Sequence, residues 1–199
     1  MERNKSVYRF EKGDAGTNAL LRWFDWLHEM DGHTKGGRGD RAHLRRAKTP
    51  DDILLSDAFH RLMREPNLPD ALKTESNWIA MAMVAGALAH CRPAKEGGSL
   101  STDSFATQLG KPKEPGAKAP MSELRFAQLQ KSRDYDAFYR RVLRAIQLIG
   151  GNINILSLSN SILLWQREHQ FGVDRVPTKR LAVSWARDYF AALPASENH

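Results

Sequence analysis

Glu75-Ser76-Asn77-Trp78-Ile79-Ala80-Met81-Ala82-Met83-Val84-Ala85-Gly86-Ala87-Leu88-Ala89-His90-Cys91 is apolar nearly all round after its first turn. An amphipathic surface helix keeps one polar side, so a segment without one reads as a helix buried at the centre of a fold. The greasy part, Trp78 to Cys91, is too short to cross a bilayer. Small residues, Gly86 among them, let neighbouring helices approach closely. Met81 and Met83 read as core packing in preference to a methionine-lined cofactor pocket.

Around this segment the chain has the length for one compact domain or two small subdomains. Of its 199 residues, 41% are hydrophobic and 27% charged, the balance of a folded chain and not of a disordered one. The net charge of +7 favours polyanionic partners. Nucleic acid fits better than membrane, because the basic residues form no dense run beside an apolar anchor. The single cysteine, Cys91, excludes an intrachain disulfide and agrees with a reducing compartment. Met1 to Lys5 lack the apolar core of a signal peptide, so a cytoplasmic protein is expected.

Outside the polar stretches at 1–12 and 92–120, the remaining segments read mostly as helix. Leu20, Trp23, Phe24 and Leu27 share one face between about Asp14 and Met30. A glycine-rich loop, His33 to Gly39, leads into a short basic helix. Thr49 then reads as an N-cap, Pro50 as the first helical residue, and Asp51 and Asp52 as first-turn acids. Pro50 to Glu65 holds one or two helices, with Ser56 or Asp57 as a second cap. From about Asp134 to Ile149, Tyr135, Phe138, Val142, Ile146 and Ile149 line one face, and Gly150 and Gly151 end it. Further helices are expected from about Ser159 to Arg167, fed by the apolar run Ile153 to Leu158, and from about Thr178 to Leu193. No stretch alternates long enough to build a sheet, so the fold class is all-α, two small helical bundles joined by a polar Gly/Pro-rich loop. The expected divisions are a flexible arm at 1–12, an N-terminal helical half at 13–110, a loop at 111–120, a C-terminal helical half at 121–193 and a tail at 194–199.

Signals of chemistry are absent. The seven histidines are scattered, without zinc-type spacing, so no metal and no cofactor is expected. Gly36-Gly37-Arg38-Gly39 lacks the ending of a phosphate loop. The acid pairs Asp51/Asp52 and Asp134/Asp136 sit where helices begin, and compensation of the helix dipole explains them without catalysis. Cys91 reads as a buried structural thiol. No catalytic residue is assigned.

What remains is basic charge in three clusters: Arg38/Arg41/Arg45/Arg46/Lys48, then Arg125/Lys131/Arg133/Arg140/Arg141/Arg144, then Arg167/Arg175/Lys179/Arg180/Arg187. On a helix Arg41, Arg45 and Lys48 fall on one face, with Leu44 and Ala47 left as anchors. Each cluster alone also reads as a solvated face. Together they form a candidate track for a phosphate backbone, and arginine's planar fork suits that contact. No zinc finger or aromatic RNA-binding motif accompanies them, so binding without sequence preference is expected.

Ordered along the chain stand Trp23-Phe24-Asp25-Trp26-Leu27, Gly39-Asp40-Arg41-Ala42-His43-Leu44-Arg45-Arg46-Ala47, Thr49-Pro50-Asp51-Asp52 and Ala58-Phe59-His60-Arg61-Leu62. Leu109-Gly110, Ser122 to Leu129, Tyr139-Arg140-Arg141-Val142-Leu143 and Trp185 to Phe190 follow. Over roughly residues 14–192 this order resembles the CasB family, the small subunit of the type I-E CRISPR surveillance complex Cascade. The resemblance implies a two-bundle helical protein without catalysis, two copies of which pack head to tail beside the backbone subunits and guide RNA. It implies a role in holding target DNA against the guide and in stabilising the displaced strand. By position Arg45 and Arg46 match the family's basic pair, Arg125, Arg140 and Arg141 match basic positions of the second half, and Lys179 with Arg180 occupies the last basic stretch. The arm at 1–12 and the loop near 93–120 have no clear counterpart. The nucleic-acid-binding candidates are therefore Arg41, Arg45, Arg46, Lys48, Arg125, Lys131, Arg133, Arg140, Arg141, Arg144, Lys179 and Arg180. The partners so implied are guide RNA, target DNA with its displaced strand, the other Cascade subunits and a second copy of the chain, with no membrane. The competing readings are a stand-alone helical DNA-binding protein or regulator, which needs a recognition helix that the sequence does not display, and a helical enzyme with a spatially assembled site.

Overall fold

The computed structural model describes residues 8–30, 37–93 and 101–194. Residues 1–7 of the expected arm, most of the glycine-rich loop, residues 94–100 and the tail from 195 lie outside the described residues. Among the described residues the regular structure is wholly helical, as the periodicities require. Ten helices follow in order among them: α1 (Ala15–His28), α2 (Gly37–Arg46), α3 (Pro50–Leu54), α4 (Asp57–Met63), α5 (Glu75–His90), α6 (Phe105–Gly110), α7 (Glu123–Gln130), α8 (Tyr135–Ile149), α9 (Ile155–Phe171) and α10 (Leu181–Ala192). Single 3-10 turns at Asp70–Leu72 and Pro177–Lys179 precede α5 and α10.

Helix α5 is the axis. Every residue from Ala80 to Ala89 is buried, and α1, α2, α3, α4, α8 and α9 all pack against it. Gly86 is the closest approach: a Cβ there would run into Tyr139 Oη of α8 and Ile53 Cδ1 of α3. Its absence therefore lets three helices meet at one point. One continuous apolar core runs from Phe10 to Tyr189 through both halves of the chain.

Local chemistry sets the boundaries. Asp14, Ser56, Ser104, Asp134 and Asn154 each cap a helix by accepting a backbone N–H from the third residue on. Thr49 and Asp52 form a reciprocal capping box, with Pro50 at the first position of α3. Gly150, at φ +87°, closes α8 in the left-handed conformation. Gly151 follows at φ +84°, and its carbonyl accepts the N–H of Arg92 at 2.7 Å, tying the end of α8 to the end of α5.

Three expectations change. The arm is anchored from Tyr8 onward: Phe10 is buried, and both polar groups of its backbone pair with the Asn160 side chain, at 2.8 and 2.9 Å. Sequence alone concealed this because the partner lies 150 residues away. Helix α9 begins at Ile155, so most of the run 153–158 is helix and not its lead-in, with Asn154 as the cap. Helix α2 ends at Arg46, which removes Lys48 from the helical face assigned to it. The backbone N–H of Lys48 is drawn instead to Asp52 Oδ2 at 2.9 Å, where the cap of α3 takes over.

The loop at 111–120 is pinched at its base, where Met121 N–H donates to Leu109 O at 3.1 Å. Just before it, α6 packs on α10, where Gly110 leaves room for the Tyr189 carbonyl. Tyr189 lies flat on Phe126 of α7, with centroids 3.9 Å apart, and donates its hydroxyl to Met121 O at 2.7 Å.

Gly86→Ala is expected to destabilise the protein by about 1–3 kcal/mol through overpacking, despite alanine's better helix propensity. Tyr139 Oη is buried without a hydrogen-bond partner among the described residues. Tyr139→Phe is therefore expected to be near neutral alone and to recover part of the Gly86→Ala loss. Urea midpoints of the two single variants and the double variant measure the coupling.

Candidate nucleic-acid interface

Helix α2 seats itself through Leu44, fully buried, and through one of its own cations. Arg41 is half-buried and donates its Nε to Ala89 O of α5 at 3.1 Å, so it is bound into the fold. Arg45 and Arg46 are exposed and have no hydrogen-bond or ion-pair partner among the described residues. Lys48 is exposed in the corner that leads to α3. Arg38, from the same sequence cluster, pairs with Glu29 at 3.5 Å.

The second cluster divides by the same logic. The apolar face of α8, Phe138, Tyr139, Val142, Ala145 and Ile146, is buried against the core. Its period of 3.6 then places Arg140 and Arg144 in solvent, unpaired among the described residues. Arg141 is half-buried and donates to Ser132 Oγ at 2.9 Å, bracing the turn between α7 and α8. Arg125, Lys131 and Arg133 are exposed. Because α3 and α8 meet on either side of Gly86, the fold brings the α2–α3 corner beside α8, although some 90 residues separate them in the chain.

The third cluster lies elsewhere. A cleft of about 1420 Å3 runs between the start of α1 and the α10 side of the molecule, floored by the Ser157, Asn160, Ser161 and Leu164 face of α9. Arg9 and Lys12 stand on one lip, Arg167, Lys179 and Arg187 on the other, and none of the residues Arg41 to Lys48 or Arg125 to Arg144 lines it. Of its two acids, Asp188 accepts from Arg187 and from Ser104 Oγ, and Asp174 accepts from the Val176 N–H. Arg180 is half-buried outside it, its Nε donating to Asp174 O at 2.7 Å. Arg9 and Lys12 were not among the expected site residues. The signal in the sequence was Phe10, an aromatic residue between Arg9 and Glu11, three positions ahead of the turn glycine Gly13 and four ahead of the capping Asp14.

Beneath α2 sit two imidazoles. Burial, then the charge of Arg41, pushes His28 down to about 4. Burial, then the charge of Arg45, does the same to His90, also to about 4. His28 Nε2 lies 3.2 Å from Leu88 O, and its ring lies tilted against Phe24, with centroids 4.2 Å apart. Burial raises the Cys91 thiol to about 12, which leaves it unreactive at neutral pH. Asp52 is held below the usual carboxylate range by the N–H groups of Lys48 and Thr49 that it accepts, and Asp134 serves as the cap of α8. Both acid pairs thus have a structural explanation for one member. No group of three or more metal-ligating side chains occurs among the described residues, and no described helix is long and apolar enough to cross a membrane.

Comparison with known proteins gives two positive findings. The family described as CRISPR-associated protein Cse2 matches residues 40–190. The crystal structure of CasB from Thermus thermophilus superposes with a TM-score of 0.51 at 22% identity, covering 86% of this chain and 97% of that one. At that identity the superposition speaks to the fold. No curated protein matches the chain.

The two half-buried histidines give stability a defined pH dependence. Their folded values lie near 4 against an ordinary 6.5, so between those limits the unfolded chain binds more protons. Stability is therefore expected to fall as pH drops from about 6.5 towards 4. His90→Gln is expected to flatten that decline, and Arg45→Ala to raise the His90 value. Urea melts between pH 7 and 4 measure the first, and imidazole proton shifts the second.

Proposed function

Because the chain belongs to the Cse2 family of CRISPR-associated proteins, components of Cascade-type complexes, we propose that it is the non-catalytic small subunit of a type I-E RNA-guided surveillance complex. In this reading it grips nucleic-acid backbone, stabilises the pairing of target DNA with guide RNA and supports the displaced strand. Guide pairing reads the sequence, so the subunit's own task is electrostatic. Its other partners are the remaining Cascade subunits and a second copy of the chain.

The observation that carries the reading is the set Arg45, Arg46, Arg140 and Arg144. All four are exposed and unpaired among the described residues, on α2 and α8, two helices that both pack on α5. A cation already satisfied by a carboxylate has less to offer a phosphate, and these have none. Their guanidinium forks suit phosphate oxygens. Arg125, Lys131 and Arg133 are further exposed cations on and after α7, and Lys179 is a separate one at the cleft. Arg41, Arg141 and Arg180 each commit part of the guanidinium to the fold, to Ala89 O, Ser132 Oγ and Asp174 O, and so hold the chain in place beside these groups.

Charge reversal of Arg45, Arg46, Arg140 and Arg144 to Glu is expected to weaken binding to DNA of unrelated sequences by at least about tenfold at low salt. The slope of log affinity against log salt on duplex DNA is expected to flatten by about 0.9 for each phosphate the variant no longer neutralises. Filter binding or fluorescence anisotropy over a salt series measures both. Unchanged affinity would make the four arginines ordinary surface residues. Strong preference of the parent chain for one duplex sequence would point to a stand-alone regulator.

A further inference from the structure

Beyond the basic faces, a small pocket opens where the turn after α7, the second half of α9 and the start of α10 come together. Its volume is about 220 Å3, and Gln130, Ser132, Trp165, Glu168, His169 and Leu181 are among its lining residues. Sites for drug-sized ligands measure ~300–1,000 Å3, so this pocket has the scale of one heterocycle.

The pocket contains the outer end of an aromatic series. Phe138 and Trp165 lie nearly parallel with centroids 3.9 Å apart, and Trp165 and His169 nearly parallel at 4.9 Å. Phe138 is fully buried, Trp165 is almost so, and His169 is exposed, with Tyr135 set edge-on to it at 4.8 Å. A braced ring exposed at the end of such a series is a stacking surface for another planar ring.

Polar groups decide which ring. Glu168 uses Oε1 to accept the Leu181 N–H at 2.9 Å, and its other oxygen has no partner among the described residues. Gln130 donates its amide to Ala182 O at 2.9 Å, which leaves its side-chain oxygen. Both free atoms are acceptors, and they match a base that presents an exocyclic amino group. The surroundings are cationic. Exposed Lys131 and Arg133 flank Ser132 in the chain, Arg141 donates to Ser132 Oγ, and Arg167 and Arg180 act on Glu168. That field repels a lysine or arginine side chain from a partner protein and attracts the phosphate attached to a base.

We propose that this pocket receives a single unpaired nucleobase bearing an exocyclic amino group, stacked on His169 and held by Glu168, with its phosphate at Lys131 and Arg133. This refines the nucleic-acid reading above by adding a base contact to the backbone contacts.

The test titrates the complete chain with CMP, AMP, UMP and inorganic phosphate, reading intrinsic tryptophan fluorescence and the His169 ring signal. CMP and AMP are expected to give a saturable response at least about fivefold tighter than UMP, and phosphate none. His169→Ala is expected to weaken CMP by about tenfold through the missing stacking partner. Glu168→Gln, a near-isosteric change, is expected to erase the preference of CMP over UMP while CMP still binds. An equal response to UMP or phosphate, an undiminished response in His169→Ala, or no saturable response overturns the proposal. So does binding of arginine methyl ester in place of the nucleotides. Oligonucleotide affinity measured on the same proteins separates the two readings. If it persists while CMP fails, only the pocket assignment falls; if CMP binds and oligonucleotides do not, the backbone reading falls.

Discussion

A helix with no polar side has to be enclosed, and enclosing α5 is the constraint that the other elements answer. Six helices do so, from both halves of the chain, and each turns its apolar stripe inward. Their outer faces are then fixed by the helical period. Arg140 and Arg144 face solvent because Phe138, Val142 and Ala145 cannot. Gly86 sets how tightly the enclosure closes, since α3 and α8 both come to rest on it. The nearness of the α2–α3 corner to α8, on which the candidate interface depends, is thus a by-product of core packing.

Much of this was readable in the sequence wherever the determining chemistry was local. Asp134 followed by an apolar stripe and a glycine pair specifies α8 from end to end, because the cap, the face and the left-handed stop each need only near neighbours. Thr49 as the cap and Pro50 as the first residue of α3 were legible for the same reason, and the structure adds the reciprocal bond from Asp52. Reading failed where a distant partner decides. Phe10 lay in an arm expected to be flexible, yet the Asn160 side chain takes up both polar groups of its backbone. The run 153–158 read as a lead-in and not as helix, since α9 buries residues on more than one side and its first turn carries no polar face to mark it.

The candidate site shows a different limit. Charge is visible in a sequence, but whether a charge is available depends on which carbonyls surround it. Arg41 and Arg45 are one helical turn apart and look equivalent, yet only Arg41 meets a carbonyl, that of Ala89 on another helix. Arg140 and Arg141 are adjacent, and only Arg141 reaches Ser132. Clusters of cations therefore contain two populations, one that holds the backbone in place and one that faces outward. The division of the third cluster from the first two was equally hidden, since it follows from the cleft along α9.

The clamp between Phe10 and Asn160 also carries a timetable. A chain is synthesised from its N-terminus, and its parts fold as they become available. When α5 has been made, α8 and α9 have not, so one side of the most apolar helix in the molecule has no cover. The backbone of Phe10 likewise waits for a partner synthesised 150 residues later. Folding of the first half therefore cannot be finished before the second exists, and the nascent chain passes through an interval in which exposed apolar surface invites chaperones or aggregation.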